Sequence, residues 1–157
     1  MPTEIERKFL VQDETWRGHV VRSCHYKQGY MSSNQACSIR VRIEADRAFL
    51  NIKSATLGIT RKEYDYEIPI SDASEILESL CEKPLLEKTR YFVEHGAHTW
   101  EIDEFSGDNE GLVVAEVELD DPDEKPELPD WIGREVSDDP RYYNVCLIKN
   151  PYTAWAV

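Results

Sequence analysis

Long apolar runs are missing from this chain of 157 residues. None approaches the roughly 20 residues that a helix needs to cross a bilayer, so no spanning helix and no membrane partner are expected. The amino terminus lacks the basic segment and apolar stretch of an export signal, which leads us to expect a cytoplasmic protein. Cysteine is sparse. Cys24, Cys37, Cys81 and Cys146 form no CxxC pair and sit at no zinc-ligand spacing, which argues against a sulfur metal site and a disulfide framework. His19, His25, His95 and His98 show no ligand spacing either and are read as surface residues. Positive charge is in deficit, with 18 Lys and Arg against 31 Asp and Glu, a net charge of -13. So acidic a surface repels phosphate polymers, so no nucleic-acid partner is expected. Repeats and low-complexity segments are absent, and residues 1–157 read as one domain, long enough to bury a core.

What is present is alternation. The chain opens Thr3-Glu4-Ile5-Glu6-Arg7-Lys8, and in a strand Glu4, Glu6 and Lys8 share one face. The same period of two returns six times. Ile39, Val41 and Ile43 oppose Arg40 and Arg42. Leu50 and Ile52 oppose Asn51 and Lys53. Tyr64, Tyr66 and Ile68 oppose Arg61, Glu63, Asp65 and Glu67. Lys88 pairs with Arg90, Glu101 with Asp103, and Glu116 with Glu118. One such strand is an ordinary solvated sheet face. Seven are not, because like charges at adjacent same-face positions repel unless something compensates them. Neighbouring strands of opposite sign would do so, as would bound ions.

An antiparallel sheet of such strands can close on itself with its charged faces inward and its apolar faces outward, under helices and loops. The fold class expected is therefore α+β, mainly β: a closed barrel with a charged interior and a few flanking helices. Helix signals are short. Asp13 to Trp16 could start one. Asp72-Ala73-Ser74-Glu75 has the form of a capping box, with Ile76, Leu77 and Leu80 as its apolar face. Ser137-Asp138-Asp139-Pro140 reads as an N-terminus with proline in the first turn, which predicts a helix over 141–149. Inside the barrel, guanidinium forks suit phosphate oxygens, and carboxylate clusters suit hard divalent cations. No protein nucleophile is evident.

The ordered set of motifs resembles the CYTH superfamily of triphosphate tunnel metalloenzymes. Glu4-x-Glu6-x-Lys8, Gln28-Gly29-Tyr30, Arg40-x-Arg42, Lys53, Arg61-x-Glu63-Tyr64, Glu87-Lys88-Thr89-Arg90-Tyr91, Glu101-x-Asp103, Glu116-x-Glu118 and Arg141-Tyr142-x-Asn144 fall in that family's order. The resemblance implies an eight-stranded antiparallel tunnel. It also implies hydrolysis of a small triphosphate, foremost inorganic tripolyphosphate, with two Mg²⁺ or Mn²⁺ ions, by a monomer or homodimer. Glu4, Glu6, Glu116 and Glu118, with Asp103, would hold metal. Arg40, Arg42, Lys53, Arg61, Lys88 and Arg90 would hold phosphates. Lys8 would sit by the reacting phosphoryl group, and Glu63 and Asp103 would orient the attacking water. A class IV adenylate cyclase and a thiamine or nucleoside triphosphatase are the alternatives on the same fold, and a non-catalytic polyphosphate-binding module is a third. Two matters stay open. Arg61 could instead pair with Glu63 or Glu67, and Asp65 and Glu67 could face solvent at the tunnel mouth. Similar members often carry a lysine in the C-terminal helix, where this chain has Tyr143 and Val145, with Arg141 and Lys149 as the nearby cations.

Overall fold

The computed structural model describes residues 3–34, 36–55 and 58–155. Nine strands form one sheet: β1 (Thr3–Val11), β2 (Val20–Ser33), β3 (Cys37–Glu44), β4 (Arg47–Ser54), β5 (Thr60–Ile68), β6 (Leu86–His95), β7 (His98–Phe105), β8 (Val113–Glu118) and β9 (Ile132–Glu135). Their order is β5-β4-β3-β2-β6-β7-β8-β1-β9, all antiparallel, and a further β1–β5 pairing closes the first eight into a barrel. One edge of β1 pairs with β8, placing Glu6 opposite Glu118 and Lys8 opposite Glu116. The other edge is divided. Its first residues pair with β5, Glu4 against Arg61, and its last with β9, which is laid on outside the closed ring.

The apolar faces point outward, as the alternation predicts, although Tyr66 on β5 is exposed rather than covered, and the buried apolar side chains form three patches. Trp16, Trp100, Trp131 and Phe9 anchor one, covered by the 3-10 turn Thr15–His19 and the chain leading into β9. The helix α1 (Ile70–Ser79) covers Val41 and Ala48 with Ala73 and Leu77. The third patch differs, because it reaches into the barrel. Leu10, Leu86, Phe105 and Val114 lie two residues beyond Lys8, Lys88, Asp103 and Glu116 on the same strand faces. They pack with Tyr142, Leu147 and Ile148 of the C-terminal segment. The charged interior therefore ends on an apolar floor.

Several expectations need correction. α1 starts at Ile70 with Pro69 before it, so Asp72 lies inside the first turn and no side chain caps the helix. Leu80 lies past the helix end and is exposed rather than on the apolar face. The single helix predicted over 141–149 is two short turns, Pro140–Tyr142 and α2 (Asn144–Leu147). They are separated by Tyr143 in an extended conformation at ψ 135°. The break has visible causes: Tyr143 hydroxyl donates to the Ser137 carbonyl, and Lys8 takes the Tyr142 carbonyl that a continuing helix would use. Among the described residues no helix is long and apolar enough to cross a membrane.

Gly29, in the middle of β2, backs directly onto the turn after α1. A Cβ there would lie 2.7 Å from Leu85 Cδ2 and 2.9 Å from Cys81 Cβ. Gly29→Ala should cost about 1–3 kcal/mol by overpacking. Gly18→Ala, where nothing lies within 4 Å, should change stability by under about 0.5 kcal/mol. Urea denaturation of both variants compares them, and equal midpoints would contradict the packing.

Candidate active site

The inward faces of the eight barrel strands converge on a cavity of about 210 Å³. The proposed site residues Glu4, Glu6, Lys8, Arg40, Arg42, Lys53, Arg61, Glu63, Lys88, Arg90, Glu116 and Glu118 all line it, together with Glu101 and Asp65. The strand period alone brings them there, since residues facing each other across a ladder lie on one side of the sheet. Asp103 is the exception. It is wholly buried in the wall behind Lys88 and Arg90.

That wall is the most tightly bonded part of the interior. Arg90 Nε donates to Asp103 Oδ1 at 2.7 Å and Nη2 to Oδ2 at 2.9 Å, a two-pronged contact that fixes the guanidinium plane. Lys88 Nζ donates to Asp103 Oδ2 at 2.8 Å. Arg90 also donates to Glu101 and lies 3.8 Å from Glu116. Lys8 Nζ is 3.6 Å from Glu116. Across the barrel, Lys53 Nζ is 3.5 Å from Glu4 and 3.9 Å from Glu63. Arg40 Nε donates to Asn51 Oδ1 at 3.2 Å, and Asn51 donates in turn to Asp65.

A carboxylate cluster extends from the Glu4–Lys53 pair. Glu4, Glu6 and Glu118 each bring one oxygen within 4.8 Å of the others, and Glu4 Oε1, though 3.5 Å from Lys53 Nζ, is buried without a hydrogen bond. Buried acceptors are rarely left unmade. Three carboxylate oxygens converging beside an unsatisfied one form the donor set a hard divalent cation takes. Glu116 lies outside this cluster, against Lys8 and Arg90.

Burial shapes the ionisation of the interior groups. It lowers Lys88 to about 8 against the pull of Asp103, and it lowers Lys53, helped by Arg40. Burial likewise lowers Arg42, again with Arg40 adding repulsion. Burial, with Glu116 and Asp103 nearby, lifts Glu101 to about 7 despite Arg90. Burial and then Glu6 raise Glu118. Asp103 goes the other way: burial is outweighed by Arg90 and Lys88, which hold it ionised.

Arg61 makes no ion pair with Glu63 or Glu67 among the described residues. Its guanidinium carbon lies 5.5 Å from the Tyr143 ring, and its Nε is buried without a partner. Glu67 is exposed and paired with Arg47. Asp65 is exposed at the rim yet borders the cavity. Arg141 is turned outward to Asp139, and Lys149 borders a second chamber instead of the tunnel. Tyr143 takes the wall position that those cations do not. The site also includes Asn51, Gln28, Tyr143 and Asn144, to which the sequence assigned no role. Gln28 and Asn144 stood within quoted motifs, Asn51 shared a strand face with Lys53, and Tyr143 stands where similar members carry a lysine.

Glu101 supplies a test of this electrostatic arrangement. Its carboxyl holds a proton more firmly folded than unfolded. Between the ordinary carboxylate value and about 7, the folded state therefore binds more protons, and stability declines as the pH rises. In metal-free protein, Glu101→Gln should raise unfolding free energy at pH 8 by about 1–2 kcal/mol and leave it nearly unchanged at pH 4.5. Urea unfolding in EDTA at both pH values measures this; an equal gain at each would refute the buried-carboxyl account.

Comparison with known proteins agrees with this geometry. A family model for the CYTH domain matches residues 2–143. An inorganic triphosphatase from Acetivibrio thermocellus is 50% identical over 152 residues, covering 97% of both chains. One from Nitrosomonas europaea is 34% identical over 149 residues, covering 92% of this chain and 96% of its own. The crystal structure of an inorganic triphosphatase superposes with a TM-score of 0.67 at 31% identity, over 92% of this chain and 97% of that one. With the barrel closed through β1 and β5 and its charges turned inward, this chain belongs to the CYTH domain family.

Proposed function

We propose that the protein is a metal-dependent triphosphatase whose foremost substrate is inorganic tripolyphosphate, cleaved by water to pyrophosphate and phosphate. The observation that carries this reading is the joining, in one cavity, of the Glu4, Glu6 and Glu118 carboxylate cluster with the cations Arg40, Arg42, Lys53, Lys88 and Arg90. A pure anion binder has no use for the first, and a pure metal site none for the second. The two named relatives, both inorganic triphosphatases at 50% and 34% identity, support it.

Glu4, Glu6 and Glu118 would hold Mg²⁺ or Mn²⁺, and Glu116 is the residue proposed for a second ion. Bound there, a divalent cation lowers the pKa of a coordinated water and offsets negative charge on the phosphoryl oxygens. The guanidinium groups of Arg40, Arg42 and Arg90 would bind phosphate oxygens through paired N–H groups, with Arg61 at the edge. Lys53 and Lys88 add point charges. Lys8, held by Glu116 and the Tyr142 carbonyl, would sit by the phosphoryl group that is transferred. Glu63, lining the cavity beside Lys53, is the residue proposed to orient the water. Asp103 was also a candidate for metal or water; with both oxygens occupied by Lys88 and Arg90, it suits holding those two cations. The cavity draws on strands from β1 to β8, so 1–157 is treated as one catalytic unit. A reducing, cytoplasmic setting fits four free cysteines, and a monomer or homodimer would suffice.

Organic triphosphates form a second reading, and one feature favours them. A chamber of about 490 Å³ lies beside the tunnel, with Ala55, Pro140, Val145 and Cys146 in its lining and Arg61 and Tyr143 shared with the tunnel. A base or thiamine ring could rest there while its phosphates reach inward. The class IV cyclase alternative needs the same placement.

Phosphate release from tripolyphosphate, ATP, thiamine triphosphate and pyrophosphate, each with Mg²⁺ and Mn²⁺, ranks these readings, and chromatography of the ATP reaction for cyclic AMP tests the cyclase. Tripolyphosphate is expected to turn over fastest. Glu6→Gln should lower its rate by more than about 100-fold, whereas Glu67→Gln, on the outer rim, should leave it unchanged. Equal rates in wild type and Glu6→Gln would sink the proposed site.

A further inference from the structure

The C-terminal segment reaches the tunnel through three successive residues. The Tyr142 carbonyl accepts from Lys8 Nζ at 3.3 Å. The Tyr143 ring lies 5.4 Å from the same ammonium. Asn144 Oδ1 accepts from Lys88 Nζ at 2.9 Å and from Gln28 Nε2 at 3.3 Å. The amide orientations follow from chemistry. An ammonium can only donate, so the Asn144 atom facing Lys88 must be its oxygen; the Gln28 atom facing that oxygen must then be its nitrogen.

Lys88 Nζ has three N–H bonds to place. Asp103 Oδ2 takes one and Asn144 Oδ1 a second. The third is left for the tunnel that Lys88 lines. A single acceptor would let the ammonium sweep a cone about that bond. Two acceptors on different parts of the chain, Asp103 on β7 and Asn144 at the start of α2, fix the direction of the third bond. Gln28 is fully buried on β2 and holds the Asn144 amide against the barrel wall.

We propose that Asn144 is a positioning residue, which through Lys88 aims one N–H at a phosphate oxygen of the bound triphosphate. The C-terminal segment is then more than a stopper on the apolar floor: its seating sets the aim of a phosphate-binding cation. The inference rests on Lys88 being such a cation, as proposed above.

A double-mutant cycle tests it. The dissociation constant of imidotriphosphate, the hydrolysis-resistant NH-bridged analogue of tripolyphosphate, is measured calorimetrically in Mg²⁺ for the full chain. The variants are Lys88→Met, Asn144→Leu and the two combined. Lys88→Met should weaken binding by about tenfold or more, and Asn144→Leu by about five- to tenfold. The double variant should be no weaker than Lys88→Met alone, because Asn144 has then lost the group through which it acts. Losses that multiply in the double variant, or wild-type affinity in Asn144→Leu, would overturn the role of Asn144. Wild-type affinity in Lys88→Met would remove the phosphate-binding role of Lys88 itself, and this inference with it, which separates the two failures. Should leucine lower the melting temperature, Asn144→Ala gives the same comparison, since alanine is well tolerated in a helical turn.

Discussion

Asp103 is a carboxylate with no access to water, and it stays charged only because Lys88 and Arg90 surround it with three N–H donors. Burying one ion alone is costly, and burying several of like sign costs more. The rest of the interior is arranged around that constraint. Arg90 turns from Asp103 to Glu101 and Glu116; Glu116 meets Lys8; Lys53 stands between Glu4 and Glu63. Most inward charges have an opposite within reach; Arg40 meets the neutral Asn51, Arg61 pairs with neither Glu63 nor Glu67 among the described residues, and Lys53 is the cation paired with Glu4 where Glu4, Glu6 and Glu118 gather. Negative charge gathers there, which is where a metal ion would be needed.

The arrangement divides the labour of the two sheet faces. Stability comes from the outer face, where Trp16, Trp100 and Ile102 are fully buried under loops and a 3-10 turn. Chemistry is left to the inner face. The apolar floor of Leu86, Phe105 and Val114 excludes water from one end of the lumen, and that exclusion strengthens every electrostatic contact near it. Lys88, immediately above the floor, carries the mark of this: burial brings its ammonium within reach of losing its proton near pH 8.

Much of this was legible in the sequence, because a period of two is a strong signal and it recurred on seven strands with charge on one side. The inward placement of Glu4, Glu6, Lys8, Arg40, Arg42, Lys53, Lys88 and Arg90 follows from that period and from the sign changes between strands. What stayed hidden depended on register and on irregular chain. That Glu118 rather than Glu116 joins Glu4 and Glu6 is set by a two-residue difference in cross-strand pairing, which no local pattern records. Asp103 looks like any other tunnel carboxylate until its neighbours are known. The C-terminal segment misled most: Ser137 to Lys149 has good helix chemistry, but bonds to Lys8 and Ser137 hold Tyr143 extended and break it. Tertiary contacts decided there, and local propensity did not.

The strict alternation of Trp100, Glu101, Ile102 and Asp103, core and site by turns, bears on how such a gene can change. A substitution touches one side of the wall at a time, so packing and chemistry can drift separately. An inserted or deleted codon within a strand cannot. It would carry Trp100 or Ile102 into the lumen and Glu101 or Asp103 into the outer core along the rest of that strand. Length variation in this lineage should therefore collect in the connections, such as the acidic stretch between β8 and β9, while the barrel strands keep their residue count even where their identities diverge.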